Sequence, residues 1–243
     1  MIILRRGDRL PTVAVAQMLI NRYADSYIRV DGIFGRETQR AVRAFQTSDP
    51  SGQIRNTTWR ALNRPRYQIL DSVDATDPDI LDHQDISGQG GDPIVNYGMS
   101  SGAPQVVDRV LAQGQIGNVV LLRFHGHGSP GHMIVASGVT DSGSAFVDRY
   151  GPGFYRYLER LRPLFLPFGS VELNGCRVGR GIRGRNLLQG MANALGVPVT
   201  AGIQSQYGGG NSTFRFEGPT RTICPYGQSL RDWARSNCRV TLL

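Results

Sequence analysis

The chain has 243 residues, 40% of them hydrophobic, and a formal net charge of +8; this suits one large domain, or a small one and a medium one, and excludes a disordered chain. No run approaches the roughly 18 consecutive apolar residues of a membrane-spanning helix, and the opening Met1-Ile2-Ile3-Leu4-Arg5-Arg6 meets charge too soon for a secretory signal peptide. The positive charge comes from arginine far more than lysine and is spread along the chain. With no zinc-finger spacing, ribonucleoprotein aromatics or basic block, nucleic acid is not an expected partner, and the charge reads as a solvated basic surface that favours anionic partners in general.

Residues 4–63 read as a small three-helix unit. Val13, Ala16, Leu19 and Ile20 fall at helical spacing after Pro11-Thr12, and Ala41, Val42 and Phe45 do so after Gly35. A third helix is predicted to start with Asn56 as its cap and to bury Trp59 and Leu62. Between the first two lies Asp31-Gly32-Ile33-Phe34-Gly35-Arg36-Glu37-Thr38, where the glycines permit a tight turn, Phe34 plugs the core and Thr38 can bond back to the turn. With Gly7-Asp8 and Gln17-Met18-Leu19, this stretch resembles the signature of the bacterial peptidoglycan-binding domain family. The resemblance implies a helical wall-binding domain over residues 1–65 with peptidoglycan as its partner. Arg36, Arg40 and Arg43 share one helix face, either simply solvated or offered to the carboxylates of muropeptides.

Residues 66–103 have the composition of an acidic, glycine-rich linker leading into the next domain. Asp71, Asp74, Asp77, Asp79, Asp82 and Asp85 lack the glycine and terminal glutamate of an EF-hand loop, so a linker, or the first strand and loop of the following domain, is preferred to a calcium site.

Residues 104–243 alternate helix and strand. Helices are predicted at 104–113, 155–165, 184–195 and 229–236, and strands at 118–124, 133–137, 170–173 and 197–201, which argues for a mainly parallel sheet with helices on its faces. Two of these strands end abruptly in a reactive side chain set among glycines: Leu121-Leu122-Arg123-Phe124-His125-Gly126-His127-Gly128 and Val171-Glu172-Leu173-Asn174-Gly175-Cys176. Parallel strands deliver functional residues at their carboxyl edge, and an imidazole beside a thiol makes a ready nucleophile.

The order of these elements, histidine strand before cysteine strand with a helix between, resembles the caspase-like superfamily of cysteine peptidases. That resemblance implies His127 as catalytic base, Cys176 as nucleophile, and the backbone N–H groups of Gly128 and Cys176 as oxyanion hole. His125, Asn174 and Gly175 are expected to support the site, and His132 to lie at the surface. Asn174-Gly175 stands where caspases carry Gln-Ala, so aspartate specificity is not carried over, and no acid selecting a basic side chain is apparent. The Tyr207-Gly208-Gly209-Gly210-Asn211 loop either shapes a substrate pocket or is a plain turn. No cofactor or metal is implied. Gly175-Cys176-Arg177 also resembles the Gly-Cys-Arg stretch of L,D-transpeptidases, although Leu-Asn precedes it in place of Ser-His.

Of the three cysteines, Cys224 and Cys238 would close a loop of about fifteen residues worth on the order of 3 kcal/mol if bonded; two reduced, buried thiols are the alternative. The expectation is a wall-targeted bacterial cysteine endopeptidase acting on protein or peptide, exported or periplasmic by a route without a visible signal peptide. A peptidoglycan-directed lysin or interbacterial toxin, and a non-catalytic wall-binding protein, are the alternatives.

Overall fold

The computed structural model describes residues 1–24, 26–47, 50–76, 80–98, 102–136, 145–148 and 155–239. The N-terminal unit consists of α1 (Pro11–Tyr23), α2 (Arg36–Phe45) and α3 (Asn56–Leu62). Proline at the first helical position starts α1, where its missing N–H costs nothing. Ten successive residues of α1, from Pro11 to Ile20, are buried, so this helix is covered on every side. Gln17 explains how the Asp31–Thr38 turn is held. Its amide oxygen accepts the backbone N–H groups of Asp31 and Gly32 at 3.0 Å, and its amide nitrogen lies 3.0 Å from the Ile33 carbonyl and from Thr38 Oγ1. Phe34 fills the core beneath. Asn56 is the first helical residue of α3, and the capping position falls on Arg55, whose side chain makes no capping bond.

The stretch with linker composition is structured. It contains β1 (Gln68–Asp74), α4 (Asp82–Gly88) and β2 (Ile94–Asn96). Asp71, Asp74 and Asp82 are buried, because partners elsewhere in the chain receive at least two of these carboxylates. Asp77 and Asp79 lie outside the described residues.

After α5 (Ala103–Gln113) come β3 (Val119–His125), the short antiparallel strands β4 (Gly128–Ser129), β5 (His132–Ile134) and β6 (Ala145–Val147), then α6 (Arg156–Glu159) and β7 (Phe165–Asn174). The chain continues through α7 (Gly181–Leu195), β8 (Val199–Gly202), β9 (Thr220–Ile223) and α8 (Leu230–Asn237). The long helix expected over 155–165 is reduced to the single turn of α6 and a 3₁₀ turn at Arg162–Leu164. Pro163 cannot donate to a continuing helix and disfavours the α conformation in the residue before it, and strand pairing takes over from Phe165.

The main sheet runs β2-β1-β3-β7-β8-β9, parallel except for β9. One face packs Leu122, Phe124, Val171 and Leu173 against α5, α6 and α7. The other packs Leu121 and its neighbours against α1, α3 and α8 in a core that includes Trp59 and Trp233. The helical unit is therefore the second helical layer of the α/β domain. No helix among the described residues is long and apolar enough to cross a membrane.

Candidate active site

Chain direction along the sheet reverses between β1 and β3, since β2 follows β1 outward on one side while β7 and β8 follow β3 on the other. Open α/β sheets bind ligands outside the carboxyl ends of their strands at such a switch point. Here a cleft of about 210 Å³ is lined by residues that follow β1, β3, β7 and β8, among them Asp82, His127, Cys176 and Gln206.

His127 and Cys176 each lie two residues beyond the end of their strand, and the strands are neighbours. His125 is in register with Asn174, and the Gly126 N–H donates to the Asn174 carbonyl at 3.3 Å, so the two segments leave the sheet together. Glycine is required where they meet. A Cβ on Gly128 would lie 2.4 Å from Val178 and 3.2 Å from the backbone nitrogen of Cys176; one on Gly175 would lie 2.6 Å from the Met133 sulfur. Arg177, directly after the thiol, sits in the left-handed region at φ 58°, a conformation that costs a non-glycine residue free energy and is held by the surrounding contacts. Its N–H donates to the Gln204 carbonyl at 2.9 Å and its carbonyl accepts the Arg180 N–H at 2.9 Å.

The Cys176 thiol is half-buried and the His127 imidazole exposed. The thiol donates to the Gln206 carbonyl at 3.1 Å, and its sulfur receives the Gln206 N–H at 3.3 Å. Asn174 also lines the cleft, and its amide donates to the Thr213 carbonyl at 3.4 Å.

His125 belongs beneath the cleft. It is fully buried, with Nε2 3.0 Å from Asp71 Oδ1 and Nδ1 3.1 Å from Asp82 Oδ2. Burial alone would lower its pKa, but the two carboxylates outweigh burial and raise it. Burial likewise pushes both aspartates up; Arg123 and His125 bring Asp71 down to about 2, and His125, Thr213 and the Gly209 N–H bring Asp82 down to about 2. Both ring nitrogens face carboxylate oxygens, an arrangement that favours the protonated ring, in which both nitrogens are donors. Arg123 extends the row through an ion pair with Asp71 at 2.9 Å and hydrogen bonds to the carbonyls of Met1 and Thr213.

This row holds the glycine-rich loop in place. Asp82 Oδ1 accepts the Gly209 N–H at 3.2 Å, Asp85 Oδ2 accepts the Gly210 N–H at 2.6 Å, and Thr213 Oγ1 lies 2.7 Å from both carboxylates. Tyr207, Gly208 and Gly209 consequently form one wall of the cleft.

The other expected positions lie elsewhere. His132 is half-buried in β5. Arg36, Arg40 and Arg43 are exposed on α2. Cys224 and Cys238 are free thiols, so the disulfide is not formed; both sit in the core shared by the helical unit and the sheet, where burial pushes each up to about 12. Arg123 and Gln206 were not singled out from the sequence, and Asp82 was read only as part of the acidic stretch. Arg123 and His125 at two-residue spacing in an otherwise apolar strand are the available signal, since a buried charge requires a partner.

Residues 9–62 match the family described as a putative peptidoglycan binding domain. No curated protein and no solved structure matches the chain. The family match ends within the helical unit and supports peptidoglycan as a partner and association with the cell wall.

Proposed function

We propose that the chain is a cell-wall-directed cysteine endopeptidase in which His127 and Cys176 form the catalytic dyad. The observation that carries this reading is that adjacent parallel strands bring both residues to one cleft at their carboxyl edge. His127 takes the thiol proton, and the Cys176 sulfur attacks the carbonyl carbon of a peptide bond. The N–H groups of Gly128 and Cys176 hold the oxyanion, a role supported by the close approach of their backbones. The imidazolium then gives its proton to the leaving amine, and water hydrolyses the thioester to release the acid and restore the thiol. A mainly parallel sheet with helices on both faces and the histidine strand before the cysteine strand favour the caspase-like relationship. The exposed Leu81 and Tyr207 at the cleft give an extended peptide apolar surface to lie on. Export to the wall by a route other than a visible signal peptide belongs to the same proposal.

Iodoacetamide tests the dyad. Cys176 should be the one thiol alkylated in the folded protein, since Cys224 and Cys238 are buried, and all three should react in urea. His127→Ala should slow alkylation at neutral pH by about tenfold or more, because the base that generates thiolate is gone. An equal rate in the variant would remove His127 from the mechanism, and an inert Cys176 would favour a non-catalytic wall-binding protein.

A second reading keeps the chemistry and makes the stem peptides of peptidoglycan the substrate, as in a lysin or interbacterial toxin. It is favoured by the packing of the helical unit directly on the sheet, which fixes the cleft relative to the wall-binding surface. Muropeptide fragments released from purified sacculi, identified by mass spectrometry, would select this reading.

A further inference from the structure

A second cavity, of about 250 Å³, opens on the seam between the helical unit and the segment leading into β9. The helical unit contributes Asp8 and Arg9, and the α/β domain contributes Arg215 and Phe216. The Asp8 side of this cavity is fixed by the turn that identifies the wall-binding family. Phe34 N–H donates to the Asp8 carbonyl at 2.9 Å, Gly7 N–H donates to the Phe34 carbonyl at 3.0 Å, and Arg9 bridges to Ile33. The Asp8 carboxylate accepts the Arg5 N–H at 2.7 Å.

Arg215 sets this cavity apart from a mere crevice. Its side chain is half-buried, and its Nε is fully shielded from solvent without a hydrogen-bond partner. A buried donor left unmatched is unfavourable, and Arg215 lines the cavity, so an anionic ligand there is placed to meet its guanidinium. Arg9, exposed at the rim, supplies a second guanidinium. Asp8 is close enough for the Arg215 charge to act on it; burial raises its pKa, while Arg5 and Arg215 oppose the rise. Two guanidinium groups and one carboxylate around a cavity of amino-acid size complement a carboxylate with an ammonium beside it.

We propose that the seam cavity binds the zwitterionic amino-acid end of a peptidoglycan stem peptide, its carboxylate against Arg215 and Arg9 and its ammonium against Asp8. The assignment rests on peptidoglycan as partner and is independent of the cysteine chemistry. It makes wall recognition a property of both parts of the chain, because Arg215 lies well outside residues 9–62.

The test is calorimetric titration of the full chain carrying Cys176→Ala, so that turnover cannot interfere and a failure of the dyad leaves the result intact. The probe is L-alanyl-γ-D-glutamyl-meso-diaminopimelate. Saturable binding is expected, weakened about tenfold by Arg215→Ala and by Arg9→Ala, since a charge-assisted hydrogen bond is lost in each. Arg109→Ala, on the exposed face of α5, should change it less than twofold. The same tripeptide amidated at the diaminopimelate carboxylate beside the free ammonium should bind the parent protein at least tenfold more weakly, and the further loss on Arg215→Ala should be smaller than that on the parent. The exposed position of Arg9 keeps the test decisive if Arg215→Ala fails to fold. Absent binding, equal affinity of the Arg9→Ala protein, or indifference to amidation would overturn the proposal. Free diaminopimelic acid, which carries the same zwitterionic end, should compete for the site, and its failure to compete would overturn the assignment.

Discussion

His125 and His127 are two residues apart on one strand end, yet they belong to regions built on opposite principles. His125 lies inside the molecule, where Asp71, Arg123 and Asp82 make a row of charges almost without water. His127 lies at the open edge and lines the same cleft as the Cys176 thiol. The interior row is buried and fixes geometry; the edge is open to solvent. A paired buried charge is costly to disturb, whereas an exposed catalytic group is cheap to remove for stability and costly for chemistry.

The largest expected effect separates the two regions directly. On the proposed dyad, Cys176→Ala should eliminate peptide hydrolysis, by about a thousandfold or more, while leaving the thermal midpoint within about 2 °C of the parent, because a half-exposed thiol carries little packing. Arg123→Ala should do the reverse in origin. Removing the guanidinium leaves Asp71 buried with only His125 to compensate it, at a cost of about 3–5 kcal/mol, read as a lower urea midpoint. Any loss of activity would follow from the lost structure. An Arg123→Ala protein as stable as the parent would mean that the interior row is not the framework described here.

The pH dependence of stability sharpens the same comparison. Glu172 is buried in register with Arg123, and burial, with Asp71 nearby, pushes it up to about 7 against the opposing pull of Arg123. A carboxyl whose pKa is raised on folding binds more protons folded than unfolded, so stability falls as pH rises from about 4.5 to about 7. His125, also raised, contributes stability that is present below its ordinary value of 6.5 and is lost as pH climbs through the higher folded value. Asp71 and Asp82 act oppositely: their contribution is present above 3.8 and is lost as pH falls through about 2. Stability should therefore peak near pH 4 to 5. Glu172→Gln should flatten the decline between pH 4.5 and 7 and gain on the order of 3 kcal/mol at pH 8. Urea midpoints across pH 3–9 check this, and a decline unchanged in the variant would place its source elsewhere.

The edge was far more legible in the sequence than the interior. His127 and Cys176 stand out because each ends an apolar run and is flanked by glycine, a local pattern that needs no knowledge of partners. The Asp31–Thr38 turn is local in the same way. Asp71 and Asp82 read as linker, or as the first strand and loop of the next domain, because an aspartate is ordinarily solvated and only the return of Arg123 and His125 on a later strand allows their burial. β1 was therefore one of two alternatives, and β2 was not foreseen. Gln206 escaped for a related reason: it touches the thiol through backbone atoms, which its side-chain identity cannot advertise. The single turn of α6 reflects competition, since sheet pairing of Phe165 displaced a helix that periodicity favoured.

The smallest effect concerns charges that neither region contains. Arg36, Arg40 and Arg43 stand in water on α2, where an ionic contact contributes about 0.2–1 kcal/mol and is screened by salt. Replacing each with alanine should leave stability within about 0.5 kcal/mol. Retention on purified sacculi should weaken a few-fold for each at low ionic strength and converge with the parent at high salt. This salt sensitivity distinguishes a solvated attractive face from a built site, because Arg215, with its buried Nε, should retain most of its effect on tripeptide binding at the same high salt. If the α2 variants lost sacculus binding equally at all salt concentrations, these arginines would make specific contacts, and the division between solvated and structured charge would have to be redrawn on that face.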